Sequence, residues 1–132
     1  MDALLGSFRP RIEDSRSLAL IRRVLLIQAR NGVPLDVSLG ALPFEERLIE
    51  RSSEYPIGPA ATLTTCSAED LVVLKTFAGR DVDWLDVRGV AVRQASRLDQ
   101  TLIFHELEPL LALKGASESA DRLRGILRTA HE

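Results

Sequence analysis

Cysteine is almost absent from this 132-residue chain, where Cys66 stands alone. One thiol can form neither an intrachain disulfide nor a thiolate metal cage, and its scarcity suits an intracellular protein. Cys66 itself reads as a small buried apolar residue. Histidine is nearly as scarce: His105 falls in an expected helix and His131 at the terminus, a spacing that supports neither a histidine metal cluster nor a Ser-His-Asp triad. No apolar run approaches the roughly 18 residues of a membrane span, and no basic segment followed by an apolar stretch opens the chain. A cytoplasmic protein without a membrane partner is therefore expected. Glycine-rich phosphate loops of the G-x-x-x-x-G-K-[ST] or G-x-G-x-x-G type are missing too. No repeat, low-complexity tract or Gly/Ser/Pro linker divides the sequence, so residues 1–132 are expected to form one domain.

What is present is the balance of a globular protein, 45% hydrophobic and 27% charged. The net charge of −2 argues against binding nucleic acid through bulk positive charge, so RNA as a partner has no support from it. Charge is uneven, however. Residues 1–30 hold six arginines (Arg9, Arg11, Arg16, Arg22, Arg23, Arg30) against three acids (Asp2, Glu13, Asp14). Such arginines are most simply solvated surface groups.

The pattern predicts an α+β fold: a small mixed, largely antiparallel sheet in about residues 1–66, followed by a helical bundle in about 67–132. Gly6-Ser7 reads as a turn. Phe8 to Ile12 looks extended, Asp14-Ser15 can cap a helix to about Leu20, and Val24 to Arg30 is a strand. Asn31-Gly32 between apolar runs signals a tight hairpin with positive φ at both turn positions. In the returning strand, Leu35, Val37 and Leu39 share one face while Asp36 and Ser38 share the other. Pro43 opens a short amphipathic helix, and Tyr55 to Thr65 is extended but broken by Pro56, Gly58 and Pro59. Ser67 and Asp70 form a capping box for a helix stopped by Gly79. Trp84, Val87, Ala91, Ala95 and Leu98 make the next apolar stripe. A further helix starts near Asp99, is kinked or split at Pro109 and ends at Gly115; a last one carries Ala120, Leu123, Ile126 and Leu127.

Few residues offer chemistry. Asp36 is a carboxylate projecting alone from a polar strand face; metal-assisted phosphoryl transfer needs two or three such groups converging on Mg²⁺. Lys75 can act as a point charge on a triphosphate or simply extend into water. Asp83 and Asp86, at i and i+3, lie on one helix face and could pair with Arg80 or Arg88.

Several runs together resemble nucleotidyltransferase-like proteins related to the AbiEii toxins. Val33-Pro34-Leu35-Asp36-Val37-Ser38-Leu39-Gly40, continuing through Glu46, is similar to the third-carboxylate strand and following helix of that family. Ser67-Ala68-Glu69-Asp70-Leu71-Val72-Val73-Leu74-Lys75 resembles its Thr/Ser-x-Glu-Asp-Leu-x-x-x-Lys helix, and Arg80-Asp81-Val82-Asp83-Trp84-Leu85-Asp86-Val87 its Arg-x-x-Asp-x-x-Asp-Ile helix. Leu113-Lys114-Gly115 resembles the ending of its penultimate helix. The resemblance implies Asp36 as a catalytic and metal-binding carboxylate, Lys75 as a nucleotide-binding residue, and Asp83 and Asp86 as supporting helix positions. It also implies Mg²⁺ and a nucleoside triphosphate as cofactor and ligand.

One departure limits those implications. The family's Asp-x-Asp strand, where period 2 aims both carboxylates at the metal, has no counterpart before Asp36. The chain thus reads as N-terminally truncated relative to the family, with Mg²⁺ binding weak or absent. The leading expectation is a nucleotidyltransferase-like protein that is catalytically incomplete alone and acts through assembly or a protein partner at an exposed sheet edge. Two alternatives stand beside it. One is an active enzyme transferring a nucleotide to RNA or protein, with carboxylates supplied by another segment or subunit; the other is an antitoxin-like or regulatory interaction module.

Overall fold

A computed structural model describes residues 1–130, and the placement expected for His131 lies outside them. The architecture is α+β, with antiparallel strands early and helices late. The chain forms two compact units, Met1–Glu46 and Arg47–Glu132. No helix among the described residues is long and apolar enough to cross a membrane.

The first unit begins with α1 (Asp2–Ser7), β1 (Arg9–Pro10), α2 (Ser15–Arg22), β2 (Val24–Gln28) and β3 (Pro34–Ser38). Gly6 and Ser7, expected in a turn, instead complete α1. The sheet order is β1-β2-β3, antiparallel throughout, with Leu25 opposite Val37 and Ile27 opposite Leu35. Alternation then decides burial. Leu25 and Ile27 are fully buried with Ala19 of α2, and Leu35, Val37 and Leu39 pack against them with Met1, Leu4, Leu5 and Phe8.

The β2–β3 hairpin departs from the expected two-residue turn. Gly32 donates its amide to Ala29 O (3.0 Å) and has φ +87°, whereas Asn31 is not in the left-handed region. A three-residue loop of this kind needs only one positive φ, at the glycine, and Asn31 serves by its side chain, which accepts from Val33 N at 3.3 Å. Arg23 adopts φ 58° where α2 meets β2. Its guanidinium donates to the Leu39 and Gly40 carbonyls, and Leu39 N returns a bond to Arg23 O, which holds that otherwise costly backbone in place.

Helix α3 (Pro43–Glu50) opens at Pro43 as expected. Glu45 supplies the cap, accepting the amides of Ala41 (2.5 Å) and Leu42 (2.9 Å).

The second unit starts with a two-stranded antiparallel ribbon, β4 (Ser53–Gly58) and β5 (Ala61–Thr65), separate from the first sheet and irregular between Pro56 and Gly58. Four helices follow: α4 (Ala68–Ala78), α5 (Asp81–Gln94), α6 (Gln100–Lys114) and α7 (Glu118–Thr129). Helix α4 packs on α5, α6 and α7, and α5 also packs on α7. The core includes the adjacent Val72 and Val73 of α4 and apolar pairs at helical spacing, Trp84 and Val87, Ile103 and Leu107, and Leu123 and Leu127.

Glycine stops are where the sequence puts them. Gly79 and Gly115 end α4 and α6 at φ 71° and 68°. The stripe expected to run from Trp84 to Leu98 is interrupted, because α5 ends at Gln94, Ala95 turns to φ 45°, and a 3₁₀ turn covers Ala95–Arg97. Pro109 does not split its helix, since α6 is continuous across it. The proline leaves the His105 carbonyl without an amide donor, and both residues are on the exposed side of α6, where water can serve that oxygen.

Candidate functional site

Asp36 sits at the middle of β3, on the polar face, with a side chain 67% exposed. Its neighbours Leu35 and Val37 are half-buried on the opposite face. The carboxylate is not alone: the Arg11 guanidinium, one-third exposed, forms an ion pair with it. An arginine held against the only carboxylate of that strand neutralises it and opposes an approaching divalent cation, so the donor set does not fit Mg²⁺. Among the described residues, no group of three or more His, Cys, Asp or Glu could hold a metal ion.

The helical residues form a tighter arrangement. Lys75, in the last turn of α4, places its ammonium 2.8 Å from Asp86 and 3.3 Å from Asp83 of α5. Asp83 is fully buried and also accepts from Arg80, from Nε at 2.7 Å, Nη2 at 3.0 Å and the backbone N at 3.1 Å. It thereby caps α5 at its third residue while gathering two cations. The Arg80 hydrogen bonds, followed by that from Lys75, hold the Asp83 carboxyl far below the usual carboxylate range against the opposing cost of burial. Asp86 and then Asp83 raise the Lys75 ammonium above its ordinary value. The expected pairing of these aspartates with Arg80 or Arg88 is half met: Arg80 takes Asp83, but Asp86 takes Lys75. Two cations face two carboxylates here, and the cluster is neutral.

A second network involves residues to which the sequence reading gave no such role. Asp70, 1% exposed, accepts from Arg51 Nε (3.0 Å) and Nη2 (2.6 Å) and from Ser67 Oγ (2.9 Å), and its backbone N donates the capping bond to Ser67 Oγ at 3.0 Å. Arg51 extends Nη1 to Glu106 of α6 (3.0 Å), and Arg47 adds bonds of 2.9 Å and 2.5 Å to the same carboxylate. Bidentate guanidinium contacts of this kind give geometric definition as well as energy. They hold the end of α3 and the segment after it to α4 and α6. Half-buried Cys66 adjoins this network; burial, and then the Asp70 charge, push its thiol up, which makes it a poor nucleophile.

The signal for this network lay in the helical period. Glu106 stands three residues after Ile103 and four before Leu110, within a buried stripe, and Asp83 precedes Val87 by four. A carboxylate on an apolar face requires a charged, hydrogen-bonded partner. The structure therefore brings Lys75, Asp83 and Asp86 together and gives Asp36 a partner of its own in the first unit. Comparison of the chain with protein-family models, curated proteins and solved structures finds no match in any of the three.

Proposed function

We propose that this chain is a nucleotidyltransferase-like protein, catalytically incomplete on its own, that works by binding a partner or by assembly. The reading starts from the motif resemblance. One observation carries its negative half: the two charged groups that the resemblance would give to metal and nucleotide are each engaged within the protein, Asp36 with Arg11 and Lys75 with Asp83 and Asp86. A triphosphate reaching Lys75 would have to displace two carboxylates, one of them fully buried, and it would be repelled by both. Nucleotidyl transfer also needs carboxylates that hold Mg²⁺ against the triphosphate as the acceptor hydroxyl loses its proton, and Asp36 with its arginine does not supply that charge.

The test is incubation of the purified chain with Mg²⁺ or Mn²⁺, each labelled nucleoside triphosphate, and a pool of bacterial RNA and protein, beside an Asp36→Ala control. The expected result is no label transfer by either protein. Transfer by the unaltered chain that disappears in Asp36→Ala would overturn the reading in favour of an active nucleotidyltransferase with sites completed between subunits.

A further inference from the structure

Helix α5 carries two apolar faces, and only one of them is covered. Asp83, Trp84, Val87, Val90 and Ala91 are buried. On the opposite side Val82, Leu85 and Val92 are 54%, 64% and 67% exposed, with Gly89 between the last two. The spacing of Val82, Leu85, Gly89 and Val92 is three, four, three, the a/d seam of a coiled coil, and it spans most of a helix about 21 Å long. At Gly89 the seam has no side chain. A Cβ built there would meet only the Arg93 guanidinium, at 3.2 and 3.3 Å, the movable end of a long side chain. The Arg93 guanidinium lies over this notch, and a second helix can approach closely there once that long side chain swings aside.

We infer that this face pairs with the same face of a second copy of the chain, the two α5 helices running antiparallel. The flanking charges select both the partner and the direction. On one flank of the seam lie Asp81 and Arg88, on the other Asp86 and Arg93; the acids fall in the first half of the helix and the arginines in the second. Parallel pairing would bring Arg88 towards the second copy's Arg93, like against like, and would leave Asp81 facing an Asp86 that Lys75 already neutralises. Antiparallel pairing brings Asp81 towards the second copy's Arg88, and Arg88 towards its Asp81, on one flank; on the other flank Asp86 is already paired with Lys75 and does not enter the selection. The helix dipoles are opposed in the same arrangement. The seam is short against a standard interface of about 800 Å² per partner, so the dimer is weak and concentration-dependent. This proposal does not rest on the catalytic reading, and it uses a helix face rather than a sheet edge.

Sedimentation velocity from roughly 10 µM to 1 mM protein tests it. The expected result is a monomer–dimer equilibrium whose association constant falls by about tenfold or more in Leu85→Glu. Asp81→Lys and Arg88→Glu each place like charges on both symmetric contacts, and each is expected to be monomeric alone. An equimolar mixture of those two variants restores opposite charges at both contacts and is expected to dimerise, as is the double variant D81K/R88E. Circular dichroism at 222 nm verifies that each variant is folded; Leu85→Glu and the double variant keep the test valid if Asp81→Lys is not. A monomer throughout the range, association undiminished by Leu85→Glu, or a double variant that does not regain association would each overturn the inference.

Discussion

Glu106→Gln removes the negative charge from a carboxylate that is 3% exposed and receives hydrogen bonds from both Arg47 and Arg51. Breaking a buried ion pair by removing one partner costs about 3–5 kcal/mol, because the surviving charge loses its compensation. Two features lower the cost here. Arg47 is 46% exposed and can turn to water, where such pairs contribute less than about 1 kcal/mol. Arg51 is 25% exposed and keeps its two bonds to Asp70. The unfolding free energy is therefore expected to fall by about 2–3 kcal/mol at pH 7. Acid provides an independent arm. Hydrogen bonds from Arg47, and then Arg51, hold the Glu106 carboxyl below its ordinary value, against the opposing effect of burial. A carboxylate depressed on folding stabilises fully above its unfolded pKa of about 4.3, and that stabilisation is lost as pH falls through the lower folded value. Glutamine does not titrate, so the gap between the two proteins is expected to hold from pH 7 to about pH 5 and to narrow below about pH 4. Urea unfolding followed by the fluorescence of Trp84, the only tryptophan and 3% exposed, measures the gap directly. A difference under about 1 kcal/mol at neutral pH, or one that does not narrow in acid, would refute the reasoning.

Thr76 is 1% exposed and its Oγ1 is buried without a hydrogen-bond partner among the described residues, so Thr76→Val replaces an unsatisfied hydroxyl by a methyl of similar shape. A stability gain of about 1 kcal/mol is expected in the same urea assay, and a loss would mean that the hydroxyl is satisfied. Gly32→Ala introduces a Cβ into open space, where nothing lies within 4 Å, but at φ +87°. The expected cost is about 1 kcal/mol, from backbone conformation alone; a neutral result by thermal unfolding would show that the hairpin loop relaxes.

Local signals were the legible part of this sequence. Pro43 opens α3, Ser67 caps α4, and Gly79 and Gly115 end their helices, because each rests on the conformational limits or bonding of a few adjacent residues. Strand alternation likewise placed Asp36 opposite Leu35 and Val37. The misses lie at a backbone turn that residue type does not signal and at a contact between residues far apart in the chain. Ala95 carries a residue type suited to helix, yet its backbone is turned to φ 45°, and α5 stops one residue before it. The Arg47–Glu106 pair joins residues 59 apart, a distance at which neither partner announces the other.

The candidate site shows why a charge motif by itself is ambiguous. Lys75, Asp83 and Asp86 recur in the order that the nucleotidyltransferase-like resemblance assigns to a nucleotide-proximal lysine and its supports, and the same three residues make an ion-paired joint between α4 and α5. Spacing cannot separate the two readings, because both need the lysine and the aspartates within reach of each other. What separates them is the balance of charge at the ammonium. A lysine poised for phosphate needs net positive potential in front of it, which a cluster with as many carboxylates as cations does not supply. Lys75 and Arg80 together face Asp83 and Asp86, so the four charges sum to zero and no positive surplus remains. A buried carboxylate with two cationic partners accounts for the charges of this joint without any ligand, since removing either cation would leave Asp83 undercompensated in the core.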